Sequence, residues 1–186
     1  FIWLPGFLTF LSLPGIIGGC LAMNRSPSVQ ARVSTLATLS AGPLYLSVSF
    51  MRFMLVMMGA NLNTARRETG VNIPDQHVYK VIGGVADGAM VLMDDSEPFG
   101  RFNRAQRAFQ NHFEQVFPFV LEFIMSGYVF PYTTAGCASA WAALRCYGSL
   151  SYANERMSRL QGNVLAGVMS GALSGLVLVT GVYATK

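Results

Sequence analysis

The chain has 186 residues, 52% hydrophobic and 12% charged, with a net charge of +4 and a mean hydropathy of +0.42. A soluble domain carries about 25% charged residues, so half that fraction with long apolar runs excludes an ordinary soluble domain and indicates one integral membrane domain. Most Lys and Arg side chains sit at the ends of apolar segments and form no patch, which argues against nucleic acid as a partner and agrees with the positive-inside rule.

Residues 1–23 carry no charge and have the length of a membrane span. Leu4-Pro5-Gly6, Leu13-Pro14-Gly15 and Gly18-Gly19 make this stretch a poor continuous helix. It reads as a kinked span, a segment lying on a protein neighbour, or the remnant of a targeting region. Residues 24–32 are polar and read as a loop. The domain division placed on this pattern is an N-terminal apolar segment and loop over 1–34, then an all-α, four-helix transmembrane domain over 35–186.

The first span of that domain runs from residue 35 to about 61, with Pro43 in its first turn. It ends in the basic run Asn63-Thr64-Ala65-Arg66-Arg67-Glu68. Residues 70–100 form a long connection, and loops of that length usually bind or act. Its apolar residues between Val81 and Met93 indicate that it docks on something.

The second span covers 107–130 and opens on the densest polar cluster of the chain. There Arg107, Asn111 and Glu114 fall at i, i+4 and i+7, within roughly 40° of one another on a helix. A stripe holding a cation, an amide and an anion does not face lipid. It faces a helix, a subunit or a polar ligand, and a zwitterion with carboxylates and an amine satisfies all three groups. A short uncharged turn is expected over 131–136, then a third span over 137–152 that continues as helix to about 160. In that helix Arg145, Tyr152 and Arg159 recur every seven residues on one stripe. The two stripes, with Arg66 and Arg67 at a similar level, describe a pocket for a small anionic ligand. An arginine over a ligand thiol would favour the thiolate. An interhelical charge network that only holds the bundle together fits the same pattern.

The last span is 164–184. Gly167, Gly171 and Gly175 give it a small-residue face suited to close helix contact. Arg52 and Glu122 lie about 21–22 Å along their helices from Arg66 and Arg107, so an interhelical ion pair between them is expected. Cys20, Cys137 and Cys146 read as small buried apolar residues. His77 and His112 have no partners at metal spacing, so no metal site is expected. The basic loops belong on the cytosol, stroma or matrix side.

Phe102-Asn103-Arg104-Ala105-Gln106-Arg107-Ala108-Phe109-Gln110-Asn111-His112-Phe113-Glu114 resembles the second-helix signature of the MAPEG family, the membrane-associated proteins in eicosanoid and glutathione metabolism. Within that family the closest resemblance is to the microsomal glutathione transferase type 3 and leukotriene C synthase group. Asn63-Thr64-Ala65-Arg66-Arg67 is similar to the end of that family's first helix, and Arg145, Tyr152 and Arg159 to its third. The resemblance implies a homotrimer with glutathione bent between neighbouring subunits. Arg107, Asn111, Glu114, Arg66, Arg145 and Tyr152 would bind it, Arg159 would stabilise the thiolate, and Arg67 would act beside a lipophilic second substrate. The expected chemistry is conjugation to an electrophile or reduction of a lipid hydroperoxide, in the endoplasmic reticulum or an organellar membrane.

Phe109 and Gly148 replace side chains that are polar in that group, the loop is longer, and residues 1–23 are extra. These departures carry a second reading: a non-catalytic subunit of a larger respiratory or photosynthetic membrane complex.

Overall fold

The computed structural model describes residues 3–83, 90–154 and 159–185, with the side chains of all but 3–11 and 159–161. Six helices and one hairpin are present among them: α1 Trp3–Arg25, α2 Pro27–Thr38, α3 Gly42–Thr69, β1 Tyr79–Ile82, β2 Met90–Met93, α4 Phe99–Val129, α5 Pro131–Ala153 and α6 Arg159–Ala184. The last four helices form a membrane bundle in which α5 packs against α3, α4 and α6. Two stretches, Gly42–Thr69 and Gly162–Ala184, are long and apolar enough to cross a membrane by composition alone.

The core lies in the middle of the bundle. Phe119, Ala138, Trp141, Ala142, Ala166 and Leu173 are buried together. The Phe119 and Trp141 rings stack at 4.0 Å and 14°. A second cluster of Leu62, Ala65, Phe102, Ala105 and Ala153 closes the basic end. The outward faces stay apolar and exposed, as at Leu46, Phe117, Ile124 and Leu178, because lipid solvates them as well as protein does.

Several helix boundaries differ from those expected. Residues 1–23 contain a continuous helix despite Pro14, and the stretch read as a loop holds α2, opened by Pro27 after Ser26. A proline in a first turn forfeits no helical hydrogen bond. Pro43 opens α3 in the same way, and Gly70 ends it at φ 69°, the left-handed cap that favours glycine. Helix α4 starts eight residues before Arg107, so much of the polar cluster is already helical.

No turn separates α4 from α5. Phe130 ends one and starts the other. Its N–H donates to the Ser126 carbonyl at 2.7 Å, and the Thr134 N–H donates to its carbonyl at 2.9 Å. The buried Ser126 and Thr134 hydroxyls meet at 3.0 Å. Proline at N1 makes so abrupt a restart possible.

Helix α5 stops at Ala153 with Asn154 as its cap, and residues 155–158 of the expected continuation lie outside the described residues. Arg104 donates to the Ala153 carbonyl at 3.4 Å, and Arg101 Nε donates to Asn154 Oδ1 at 3.0 Å. Two cations from α4 thus sit at the negative end of α5, where the helix dipole favours them. Arg159 therefore belongs to α6, and the seven-residue stripe from Arg145 ends at Tyr152.

The expected Arg52–Glu122 ion pair is not formed among the described residues. Glu122 Oε1 instead accepts from Ser174 Oγ at 2.5 Å, which ties α4 to α6, and Arg52 is exposed. Equal depth along two helices does not fix which way each side chain faces. The small-residue face of α6 is likewise unmet among the described residues: a Cβ at Gly167, Gly171 or Gly175 would meet nothing within 4 Å. The close crossing is elsewhere. A Cβ at Gly162 would lie 2.6 Å from the Gly148 Cα, so α5 and α6 touch through two bare glycines. Of the cysteines, Cys146 is buried and Cys137 half-buried, but Cys20 is exposed on α1.

The described parts of the long connection are tied to α4 through Asn103. This buried amide accepts from the Val78 N–H at 2.9 Å and donates to the Val78 and Asp94 carbonyls at 2.8 Å each. It thereby holds both roots of the antiparallel hairpin β1–β2. Among the described residues the fold is all-α apart from this hairpin.

Candidate functional site

The polar stripe of α4 meets α5 and α6 at the edge of the core. Arg145 of α5 donates to Asn111 twice, to Oδ1 at 2.9 Å and to the main-chain carbonyl at 2.7 Å. Its other terminal nitrogen donates to Asn163 Oδ1 of α6 at 2.7 Å. A buried guanidinium inside a membrane bundle needs such partners. Its plane also lies over the Trp141 ring at 5.9 Å, a favourable cation–π distance.

From this knot the stripe runs outward. Asn111 Nδ2 donates to Glu114 Oε2 at 3.5 Å, and Arg107 approaches Glu114 Oε1 at 3.9 Å. Arg107 and Glu114 are exposed while Asn111 is half-buried. The site therefore has a fixed inner cation and an outer cation–anion pair on an open face. Tyr152 shares a crevice of about 10 Å³ with Asn111, Arg145, Gly148 and Asn163. A larger groove of about 230 Å³ lies on the other side of Arg145, where Gln115, Trp141, Gly167 and Ser170 join Asn111 and Asn163.

Five expected residues are thus brought together: Arg107, Asn111, Glu114, Arg145 and Tyr152. Two are placed elsewhere. Arg66 donates to the Asn72 and Asp75 carbonyls at 3.0 and 2.7 Å and stacks over Phe102 at 4.9 Å. Arg67 is exposed in the last turn of α3. Arg159 opens α6, and its side chain lies outside the described residues.

The departures from the family signature have structural roles. Phe109 lies against α3, 3.8 Å from where a Gly59 Cβ would be, and edge-on to Phe113 at 5.0 Å. At the second departure, Gly148 forms the crossing with Gly162. A tyrosine there would collide with α6 unless that helix moved.

Asn163 and Gly162 were not anticipated. Their signal is faint: one amide and one glycine just before an apolar run. The loop also reaches the site. Gln110 donates to Gln76 at 2.9 Å and Val78 bonds Asn103, so residues 76–78 lie along the α4 face that carries Arg107. Burial, and then the charge of Arg107, push the His77 pKa below its ordinary value.

A family model described as the MAPEG family matches residues 44–182. No curated protein and no solved structure matches the chain. The matched stretch runs from the first turn of α3 almost to the end of α6 and includes every side chain of the polar cluster, so the chain belongs to the MAPEG family.

Proposed function

We propose that this integral membrane protein is a glutathione transferase or peroxidase acting on lipophilic electrophiles or lipid hydroperoxides, nearest in kind to the microsomal glutathione transferase type 3 and leukotriene C synthase group. The observation that carries the reading is the coupling of the Arg107–Asn111–Glu114 stripe to Arg145 through Asn111. It offers two cations, an anion and an amide on one face. Glutathione brings two carboxylates, one ammonium and two peptide bonds, and so complements it group for group.

The groove of about 230 Å³ is smaller than the ~300–1,000 Å³ usual for ligand clefts. One chain therefore supplies part of the site, and a second copy in a homotrimer supplies the rest. Arg66 and Arg67, which lie apart from the cluster in their own chain, are the groups a neighbour would bring.

In this reading Arg107, Asn111, Glu114, Arg145, Tyr152 and Arg66 hold the tripeptide. Arg159 stabilises the sulfur after its proton leaves to water. The unperturbed thiol pKa of about 8.5 then falls into the range seen beside arginine, about 3.5–7.5. The thiolate attacks an electrophilic carbon, forming C–S as the leaving group departs with its electron pair, or as an epoxide oxygen opens and is protonated. Arg67 assists that proton transfer. With a hydroperoxide, two glutathione molecules are oxidised to the disulfide while the O–O bond is reduced to an alcohol and water.

The test is conjugation of glutathione to a lipophilic aryl halide by Arg159→Ala in detergent. The expected result is a loss on the order of 10²-fold in turnover with unchanged helix content. Full turnover in that variant would remove the mechanism.

A second reading, a non-catalytic subunit of a larger organellar complex, draws on the Gly148–Gly162 contact and on Phe109 packed at Gly59, which put apolar structure where that group has polar side chains. A large hetero-complex in mild detergent would favour it, and a free homotrimer would not.

A further inference from the structure

Two charges of opposite sign stand deep in the bundle and do not meet. Arg52 lies in α3, and every 18-residue stretch of that 28-residue helix contains it. Any such stretch that stops before Arg66 holds Arg52 in its interior, so it belongs to the span wherever the boundary falls. Its side chain is exposed and makes no hydrogen bond or ion pair among the described residues. Lipid does not solvate an arginine at that depth, so it faces protein or a polar cavity.

Glu122 is the only acidic residue in 42–67, 115–154 and 159–186. Ser174 Oγ donates to its Oε1 at 2.5 Å, which supplies a hydrogen bond and no charge. Oε2 is buried with no hydrogen-bond partner among the described residues. A carboxylate offers about four acceptor sites, so most of this one's are unused. The other deep cation, Arg145, is committed to Asn111 and Asn163.

The two charges match in position as well as in sign. Arg52 stands about 21 Å along α3 from Arg66 and about 40° around it. Glu122 stands about 22 Å along α4 from Arg107 and within about 20° of Asn111. The α3 face that carries Arg66 therefore carries Arg52, and the α4 face that carries Asn111 carries Glu122. A neighbour that brings Arg66 and Arg67 toward the α4 stripe brings Arg52 to the depth of Glu122. One face gives and a different face receives, which is the contact that closes identical copies into a ring.

The receiving edge is open. Between Arg145 and Ser174 the α4–α6 edge presents Gln115, Gly167 and Ser170 around the groove of about 230 Å³. A Cβ at Gly167 would meet nothing within 4 Å among the described residues, so a helix can approach closely there. An unrelated partner would have to bring an anion for Arg52 and a cation for Glu122. A second copy of this chain carries both.

We propose that Arg52 of each copy pairs with Glu122 of the next, laying α3 over the neighbour's α4–α6 edge and forming the outer wall of its groove. The inference rests on the assembly of identical copies in the reading above and not on glutathione as the ligand.

The experiment uses the purified full chain in mild detergent, starting with the mass of the unsubstituted protein. The chain carrying Arg52→Cys and Glu122→Cys together is then treated with a short bifunctional thiol reagent that spans the two lost side chains. Covalent dimers and trimers absent from either single variant are expected, the single variants accounting for Cys20, Cys137 and Cys146. In parallel, Arg52→Glu should weaken association on the order of 10²-fold, and Arg52→Glu combined with Glu122→Arg should restore it. Arg52 has no partner within its own chain among the described residues, so the single reversal should keep its helix content by circular dichroism. A homotrimer with no band specific to the double variant, or one indifferent to the reversed charge, would overturn the pair and leave the glutathione reading standing. Cross-links confined to single chains would overturn it too. An unsubstituted chain that is monomeric, or found only with other proteins, would overturn both the pair and the assembly of copies that the glutathione site needs.

Discussion

Arg145 is the residue that turns a stripe of polar side chains into a cluster. Asn111 alone presents an amide to the bundle, but with Arg145 donating to both its side chain and its carbonyl it fixes a cation at the edge of the core. This much was legible in the sequence, because spacing by three and four residues places side chains on one helix face whatever the tertiary fold. The Arg52–Glu122 pair was not legible. Depth follows from residue counting, but facing follows from how the helices rotate, and Ser174 took the carboxylate. His77 gives a prediction at this scale. Its pKa is lowered from 6.5 by burial and by Arg107, so the folded loop keeps it neutral while the unfolded chain takes up the proton. Stability from this contact is present above pH 6.5 and falls as the pH drops through that value toward the folded pKa. The thermal midpoint of the native chain should therefore drop relative to His77→Gln on acidification from above to below pH 6.5. Parallel curves would contradict the placement of His77 against Arg107.

At the scale of elements, the spans were legible as apolar runs, but their ends were not. Helix α4 begins early because its polar first turns are held in the protein by Asn103 and Arg104 and not by lipid. Helix α5 ends early where Arg104 caps the Ala153 carbonyl and Arg101 holds the Asn154 side chain, and a cap contributed by another helix leaves no mark in the capped segment. The glycines give the plainest contrast. The regular run Gly167, Gly171, Gly175 marks a face that meets nothing among the described residues, while the unremarked pair Gly148 and Gly162 forms the α5–α6 crossing. Gly162→Ala forces a Cβ to 2.6 Å from opposing backbone, and overpacking of this kind costs about 1–3 kcal/mol. Gly167→Ala enters open space. In thermal unfolding of the free protein in detergent, the first should lower the midpoint and the second should leave it nearly unchanged. Equal effects would mean that the helices cross elsewhere.

At the scale of the whole molecule, family membership over residues 44–182 and the membrane bundle follow from pattern and motif together. Within one chain Arg66 and Arg67 stand apart from the polar cluster: Arg66 serves the loop carbonyls and Arg67 is exposed. The sequence placed both arginines at the level of the cluster, because depth along a helix follows from residue counting and the direction of a side chain does not. The hairpin and the helices α1 and α2 add to the bundle without entering its polar cluster, so they bear on where the protein sits and what it touches more than on its chemistry. The chemistry rests on one claim, that this cluster binds glutathione and makes it a nucleophile at neutral pH. Ultraviolet difference absorbance of the purified protein mixed with glutathione measures the thiolate directly. A saturable thiolate band near pH 7, well below the free thiol pKa of about 8.5, is the result predicted. No band above that of free glutathione at any ligand concentration would contradict it and leave the cluster as a brace between helices.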